Sequence, residues 1–382
     1  MGDTTLFDYL TWRGDLSMEQ DPMNQIDGMI FARFSYLPFA MVLEQGEDRF
    51  VSISRVAAKL LKCEDVEEHV LYQEDLQLLE AMAHSVRYGS LQIGNFVDLY
   101  DEQNETQFSA ITIKLEDGYC IAYRGTDNTL VGWKEDLNMG FEFPIAAQVH
   151  AKEYLEDFAQ KHRGNLILCG HSKGGNVAVY AAAYTTEKIQ KRILCIYDYD
   201  GPGFYEEALA TDGYQKVRDR IKTYVPQDSL VGMLLGHLEE HSVIHSLENG
   251  PYQHNMYSWE VVGRDFCYEQ DVTAKSHTFD KTLKEWYGQM DVHQRELFVE
   301  SVYSLIGNTN ARTLQDLFGN WTENSKIALN TVRNMDEESR KVIGEGLGLF
   351  MKCAWGNKMN QVQKAAGRKK AKSDKTSDKT SN

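Results

Sequence analysis

Between Asn165 and Tyr184 the chain reads NLILCGHSKGGNVAVYAAAY. Its first residues are apolar, too few for a helix and closed by Gly170, the pattern of a buried strand. Small and apolar residues from Gly174 onward continue as a tightly packed helix. Between the two, Gly170-His171-Ser172-Lys173-Gly174 fits G-x-S-x-G. A serine on a strained strand-to-helix turn projects its Oγ above the sheet, at the positive end of the following helix. The flanking glycines let the backbone pass close to neighbouring elements. The bland alternative is a glycine turn without chemistry, but the order strand, serine, packed helix is what a nucleophile elbow requires.

The rest of the chain falls into place around this stretch. Residues 1 to about 95 read mostly helical, with apolar residues at helical spacing over Ile26–Phe39, Val56–Leu61 and Leu71–Val86. Phe108–Leu115 and Tyr119–Tyr123 read as strands joined by the turn Glu116-Asp117-Gly118, the second ending in Arg124-Gly125-Thr126-Asp127. Residues 127–146 read as a long connection. Ala147–Lys161 carries an apolar stripe at helical spacing. Arg192–Tyr197, Ile221–Val225 and Val243–Leu247 read as further strands, and the loop Glu248–Gln253 delivers His254.

Strand and helix alternating in this way predict a mainly parallel sheet with helices on both faces. Functional groups of such sheets gather beyond the carboxyl ends of the strands. Thr126, Ser172, Asp200, Asp228 and His254 all lie just past strand-like runs, so one rim can hold them.

From about residue 271 only helical patterns remain, over Leu297–Ile306, Thr313–Val332 and Asp336–Ala354. Gly344, Gly346 and Gly348 mimic a nucleotide-binding fingerprint, but no strand precedes them, and helix contact or kinking is the better reading. The organisation expected is an α/β domain over 1–270, a helical extension over 271–360 and a disordered basic tail over 361–382, which has almost no apolar residue.

A net charge of −17 argues against nucleic acid as partner. The tail carries seven Lys/Arg against two Asp, so it is +5 while the remainder is about −22. At most, then, the tail touches an anionic membrane. No apolar run is long enough for a transmembrane helix, and the first residues lack the build of a signal peptide. The six cysteines are scattered without a C-x-x-C pair and read as free thiols, neither disulfides nor metal ligands. A cytoplasmic protein without cofactor or metal is expected; its oligomeric state is not legible.

Acyl transfer by a serine needs a base, a group that orients the base, and donors for the oxyanion. Eleven histidines are available. His171 adjoins the serine and reads as packing behind the elbow. His237, His241 and His245 are candidates, but His254 has the best position, in a loop after the last strand and in the order Ser, Asp, His.

These motifs resemble the class 3 lipases of the α/β-hydrolase fold. Arg124-Gly125-Thr126 is similar to their oxyanion turn, Gly170–Gly175 to their elbow, Pro226-Gln227-Asp228 to their acid-bearing loop, and His254-Asn255-Met256-Tyr257 to the segment around their histidine. The longer strings GTDNTLVGWKEDLNM, GHSKGGNVAVYAA and DYDGPGF resemble a bacterial lipase-like family of largely uncharacterised function.

The resemblance implies Ser172 as nucleophile, His254 as base and Asp228 as acid, with Thr126 and the backbone amide of Lys173 forming the oxyanion hole. Asp200 competes for the acid. It sits in Tyr199-Asp200-Gly201-Pro202-Gly203, where turn formation offers it a local task, and Asp198 stands beside it. Lys173 replaces the family's leucine, and Lys134, Glu135, Asp136 and Glu142 occupy the connection where those lipases carry an apolar lid.

The expected activity is hydrolysis of small-molecule or lipid carboxylic esters through an acyl-enzyme, on dispersed rather than interfacial substrate. The alternatives are a catalytically silent ligand-binding protein and an acyltransferase using the same triad.

Overall fold

The computed structural model describes residues 4–103, 105–127, 129–308, 321–337, 339–346 and 348–349. The chain forms two compact units, one running to Thr273 and the other beginning at Ala274. The tail 361–382 and the expected helical residues 313–320 lie outside the described residues.

The first unit is organised on a nine-stranded sheet. In chain order its strands are β1 (Val51–Ser52), β2 (Gln92–Asp101), β3 (Thr106–Lys114), β4 (Gly118–Tyr123), β5 (Asn165–His171), β6 (Ile193–Tyr199), β7 (Ile221–Pro226) and β8 (His241–Ile244). A small ribbon of β9 (Val261–Val262) and β10 (Asp265–Phe266) precedes β11 (Tyr268–Glu269), which closes the sheet beside β8. Strands β4 to β8 are parallel, whereas β1 to β4 form an antiparallel meander and β11 is antiparallel to β8. The sheet is therefore more mixed than the alternation of elements predicts.

The two-residue period of the strands sorts side chains between two cores. Cys120 and Ala122 of β4 face a cluster with helices α1 (Leu6–Arg13), α2 (Gln25–Phe34), α3 (Ile53–Leu60) and α4 (Glu74–His84). Ile121 and Tyr123 face the opposite cluster, built with α6 (Ala146–Lys161) and α7 (Lys173–Tyr184); α5 (Leu130–Asn138) precedes them in the chain. Asn24 caps α2 by accepting from the amides of Ile26 and Asp27, and Asp27 reaches back to the Asn24 amide. That helix is buried all round, and its charges are paired. Arg33 makes a two-pronged contact with Asp75 at 2.5 and 2.6 Å, and Arg87 makes a similar one with Asp27. Removing one member of such a buried pair typically costs about 3–5 kcal/mol.

Three elements depart from the sequence expectations. Strand β2 was not anticipated: Asn95 adopts φ 51° at a bulge between Gly94 and Val97, which interrupts the alternation. Residues 130–138 of the expected loop form α5, capped by the Thr129 hydroxyl accepting from Gly132 N. The last parallel strand ends at Ile244 rather than Leu247 because Ser246 pairs with Trp259 and Leu247 N donates to Ser258 O.

In the second unit, helices span Ala274–Gly288, Val292–Gly307 and Trp321–Asn334, and residues 339–346 are helical again. Trp286 donates its ring N–H to Gly346 O at 2.8 Å, and a Cβ on Gly346 would lie 2.7 Å from Phe298. Gly346 thus serves helix contact.

Candidate active site

The parallel register brings the ends of four strands level. Tyr123 of β4 pairs with Gly170 of β5, His171 with Tyr199 of β6, and Tyr199 with Tyr224 of β7. The residues that follow, Arg124-Gly125-Thr126, Ser172 and Asp200, therefore emerge at one rim.

Ser172 sits at the junction of β5 and α7 with φ 58° and ψ −133°, a conformation that L-residues rarely adopt. Strain of this kind costs about 1–3 kcal/mol and persists only where the surroundings enforce it. Here Ser172 N donates to Tyr199 O at 2.9 Å and Gly175 N to Ser172 O at 2.9 Å. A Cβ on Gly170 would lie 2.1 Å from Gly174 O, and one on Gly174 would lie 2.3 Å from Tyr123 O. Both glycines of the motif are thus required by backbone approach. Ser172 is 9% exposed, and among the described residues its hydroxyl has no hydrogen-bond partner.

His254 lies at the end of a short 3₁₀ turn, Gly250–His254. Its ring centroid is 4.4 Å from that of His171, the residue before Ser172. His171 Nε2 lies 2.8 Å from His254 O, and since a carbonyl only accepts, Nε2 carries the proton and Nδ1 accepts from Tyr36 OH at 3.1 Å. Burial, with His254 and Arg33 nearby, holds the His171 pKa well below the usual value. A neutral His171 thus backs His254, which matches the packing role expected for it.

The partner of His254 is Asp200. His254 Nδ1 and Asp200 Oδ2 are 2.6 Å apart. Asp200 is 1% exposed and has φ 54°; its Oδ1 accepts from Ser229 Oγ at 2.5 Å and Gly232 N at 3.1 Å.

Asp228, expected as the acid, does not contact His254. Its carboxylate accepts from Thr273 Oγ1 at 2.5 Å and Gly250 N at 3.1 Å, while its amide donates to Gln253 Oε1 at 2.7 Å. It braces the loop that carries His254. The turn task expected of Asp200 falls to Asp198, whose Oδ1 accepts from Gly201 N at 3.0 Å.

The Arg124-Gly125-Thr126 turn closes over the elbow: a Cβ on Gly125 would lie 3.3 Å from Ser172 Cβ. The Thr126 hydroxyl lies 2.7 and 2.6 Å from the two Asp136 oxygens and donates its one proton there. Burial raises the Asp136 carboxyl to about 6, against the opposing pull of Lys173 and of the Thr126 hydrogen bond. The sequence gives Asp136 no role beyond its place in the connection, because its ten-residue offset from Thr126, bridged by the turn into α5, is not a recognisable signal.

The side chain of Lys173 turns away from this rim into the protein, where its Nζ donates to Glu135 Oε2 at 2.6 Å and to Gln107 O and Oε1 at 2.9 Å each. Both charged side chains are 2% exposed.

Among the described residues one group has the spacing of metal ligands, Asp198, His237 and Glu239. His237 Nε2 meets Gly232 O at 3.0 Å and Nδ1 meets Glu239 at 2.9 Å, so both ring nitrogens are engaged within the protein. Although burial works against it, the contact with Glu239 raises the His237 pKa, and Glu239, despite its burial, is drawn down to about 2 by His237. Burial lifts Asp198 to about 7. The cluster is an internal ionic network. No described helix is long and apolar enough to cross a membrane.

The mixed sheet, the elbow and the rim make the fold that of a lipase-like α/β-hydrolase. Among solved structures the chain is similar to a lipase of Rhizomucor miehei in a propeptide complex, with 16% identity, TM-score 0.36, and coverage of 65% of this chain and 75% of that one. It is similar to a mutant form of MDLA from Penicillium cyclopium, with 13% identity, TM-score 0.38 and coverage of 69% and 92%. A lipase from Rhizopus microsporus var. chinensis shows 14% identity, TM-score 0.36 and coverage of 73% and 92%. No curated protein matches the sequence. The sequence profile of the Mbeg1-like family matches residues 82–304, which hold the whole rim from Thr126 to His254, and the chain belongs to this lipase-like family.

Proposed function

We propose that the protein is a serine hydrolase of carboxylic esters, acyl or lipid, working through Ser172, His254 and Asp200. The observation that carries this reading is the Asp200–His254 contact at 2.6 Å beside a serine held in a strained elbow. Asp200 fixes the imidazole with its proton on Nδ1, leaving Nε2 to take the Ser172 proton as Oγ attacks the ester carbonyl. The tetrahedral oxyanion is held by the backbone amides of Thr126 and Lys173, the latter opening α7 at its positive end. Collapse expels the alcohol, protonated by His254, and leaves Ser172 acylated; water, deprotonated by His254, then releases the acid. In apo structures the serine–histidine hydrogen bond is often unformed and tightens only with substrate.

The substrate class proposed is small or lipid carboxylic esters, in a protein proposed to be cytoplasmic. The test is labelling by a fluorophosphonate probe together with turnover of an ester series of increasing acyl length. Wild type should label and turn over while Ser172→Ala does neither. Labelling that survives the substitution overturns the assignment.

A further inference from the structure

The residue after the nucleophile raises a question that the proposed mechanism leaves open. A lysine follows Ser172, yet its charge faces the interior. Lys173 Nζ reaches three acceptors, the main-chain and side-chain oxygens of Gln107 on β3 and Glu135 on α5. Glu135 is equally committed: its Oε2 also accepts from Gln107 N at 3.2 Å, and its Oε1 accepts from Ala147 N at 2.8 Å at the start of α6. Four elements, β3, α5, α6 and α7, thus meet at one buried ion pair. The next residue along α5 is Asp136, which takes the Thr126 hydroxyl.

A second tie lies on the same helix. Lys134 pairs with Glu105, and Asn138 Nδ2 donates to Glu105 at 2.9 Å, so α5 is anchored on both sides of Asp136 to the β2–β3 hairpin.

A buried pair of this kind is weak evidence for stability, because desolvating both charges offsets their attraction. What it supplies is geometry. The nucleophile helix and the segment that aligns the oxyanion turn are joined by a contact that holds only in one relative placement.

We propose that Lys173 and Glu135 are positioning residues for the ester hydrolysis read above: their ion pair fixes α5 on the nucleophile helix and so holds Asp136 on the Thr126 hydroxyl, keeping the oxyanion turn assembled without substrate or interface. This inference rests on the serine-hydrolase reading. Residues 130–138, which follow the oxyanion turn, act on this view as a fixed wall, and the enzyme works on dispersed esters at full rate.

The neutral pair Lys173→Met with Glu135→Gln removes both members of the ion pair together, so neither is left as a lone charge. Active sites are counted by fluorophosphonate titration, so the kcat obtained refers to competent nucleophiles only. The expected result is a double variant that still titrates, whose kcat per titrated site on a short-chain ester falls on the order of tenfold to a hundredfold with little change in KM. Its rate should also rise above the critical micelle concentration of a longer ester, where wild type stays flat. A double variant with wild-type kcat and a flat profile overturns the positioning role.

Hydrogen exchange on the wild-type protein provides a second arm that needs no variant. Amides of 132–138 should be protected as strongly as those of α7 and be unchanged by substrate micelles. Rapid exchange in α5, or exchange altered by micelles, likewise overturns the proposal. Wild type that fails to titrate at Ser172 would instead sink the underlying hydrolase reading, so the two failures are distinguishable.

Discussion

His254 Nδ1 lies 2.6 Å from Asp200 Oδ2, although the two residues are 54 positions apart and a nearer aspartate, Asp228, precedes the same loop. Asp200 reaches this place because β6 and β7 run parallel and its amide donates to Tyr224 O at 2.8 Å. The Asp228 segment then supports it from the other side through Ser229 and Gly232. Asp200→Asn should lower kcat by about four powers of ten, the typical effect of losing the group that sets the histidine tautomer. Asp228→Asn keeps an oxygen for Gly250 and should cost far less turnover while lowering the melting temperature. Steady-state rates on one soluble ester decide the matter: the reverse order would return the acid to Asp228.

A second prediction concerns strain. Ser172 holds φ 58° and ψ −133°, a region open chiefly to glycine. Ser172→Gly relieves about 1–3 kcal/mol of backbone strain and gives back about 0.5–1 kcal/mol through the freer unfolded chain. The variant should be inactive and more stable by about 1 kcal/mol in urea unfolding. A loss of stability would show that the elbow is not strained.

How much of this was open to sequence reasoning depends on whether the cause is local. The elbow was legible because a short apolar run, glycines at fixed offsets and small helix residues all act within twenty positions. The place of His254, in a loop after the last parallel strand, was legible from chain order. Strand β2 was hidden because Asn95 and its bulge break the two-residue period. The choice between Asp200 and Asp228 was not legible because both follow strands and both precede turns. In the structure it is the Asp200 carboxylate that meets His254, from a backbone at φ 54° that no propensity reveals. Lys173 looked like a charge beside the nucleophile; its Glu135 partner lies 38 residues away, beyond the reach of any local pattern.

The third prediction is a pH dependence of stability. The Asp136 carboxyl is raised from 3.8 to about 6 in the folded state, so folding favours its protonated form. Its contribution is therefore fully present below pH 3.8 and is lost as pH rises through 6. Asp136→Asn, which stays neutral, should match wild type near pH 4 and be more stable above pH 7, by up to about 3 kcal/mol for a shift of this size. The difference between the two proteins isolates this group from Asp198, which shifts in the same direction. A constant difference across that range would mean that Asp136 does not titrate as described.

The last prediction concerns Thr126. Its hydroxyl has one proton, and the structure directs it to Asp136 at 2.6–2.7 Å. An ionised Asp136 accepts that proton, so the hydroxyl anchors the turn, and in the proposed mechanism the Thr126 amide is the donor left for the oxyanion. Removing a true oxyanion donor typically costs about 10²–10³ in kcat. Thr126→Val keeps the amide and the β-branched shape but loses the anchor, so it should cost clearly less than that at pH 8. Below pH 6 a protonated Asp136 can itself donate to the hydroxyl, whose proton is then released toward the oxyanion. The ratio of wild-type to Thr126→Val turnover should therefore grow between pH 8 and pH 5.5, whatever pH trend the two rates share. In an Asp136→Asn background the ratio should no longer depend on pH. A ratio already at 10² or more at pH 8 and flat with pH would make the hydroxyl a direct oxyanion donor and Asp136 merely its neighbour.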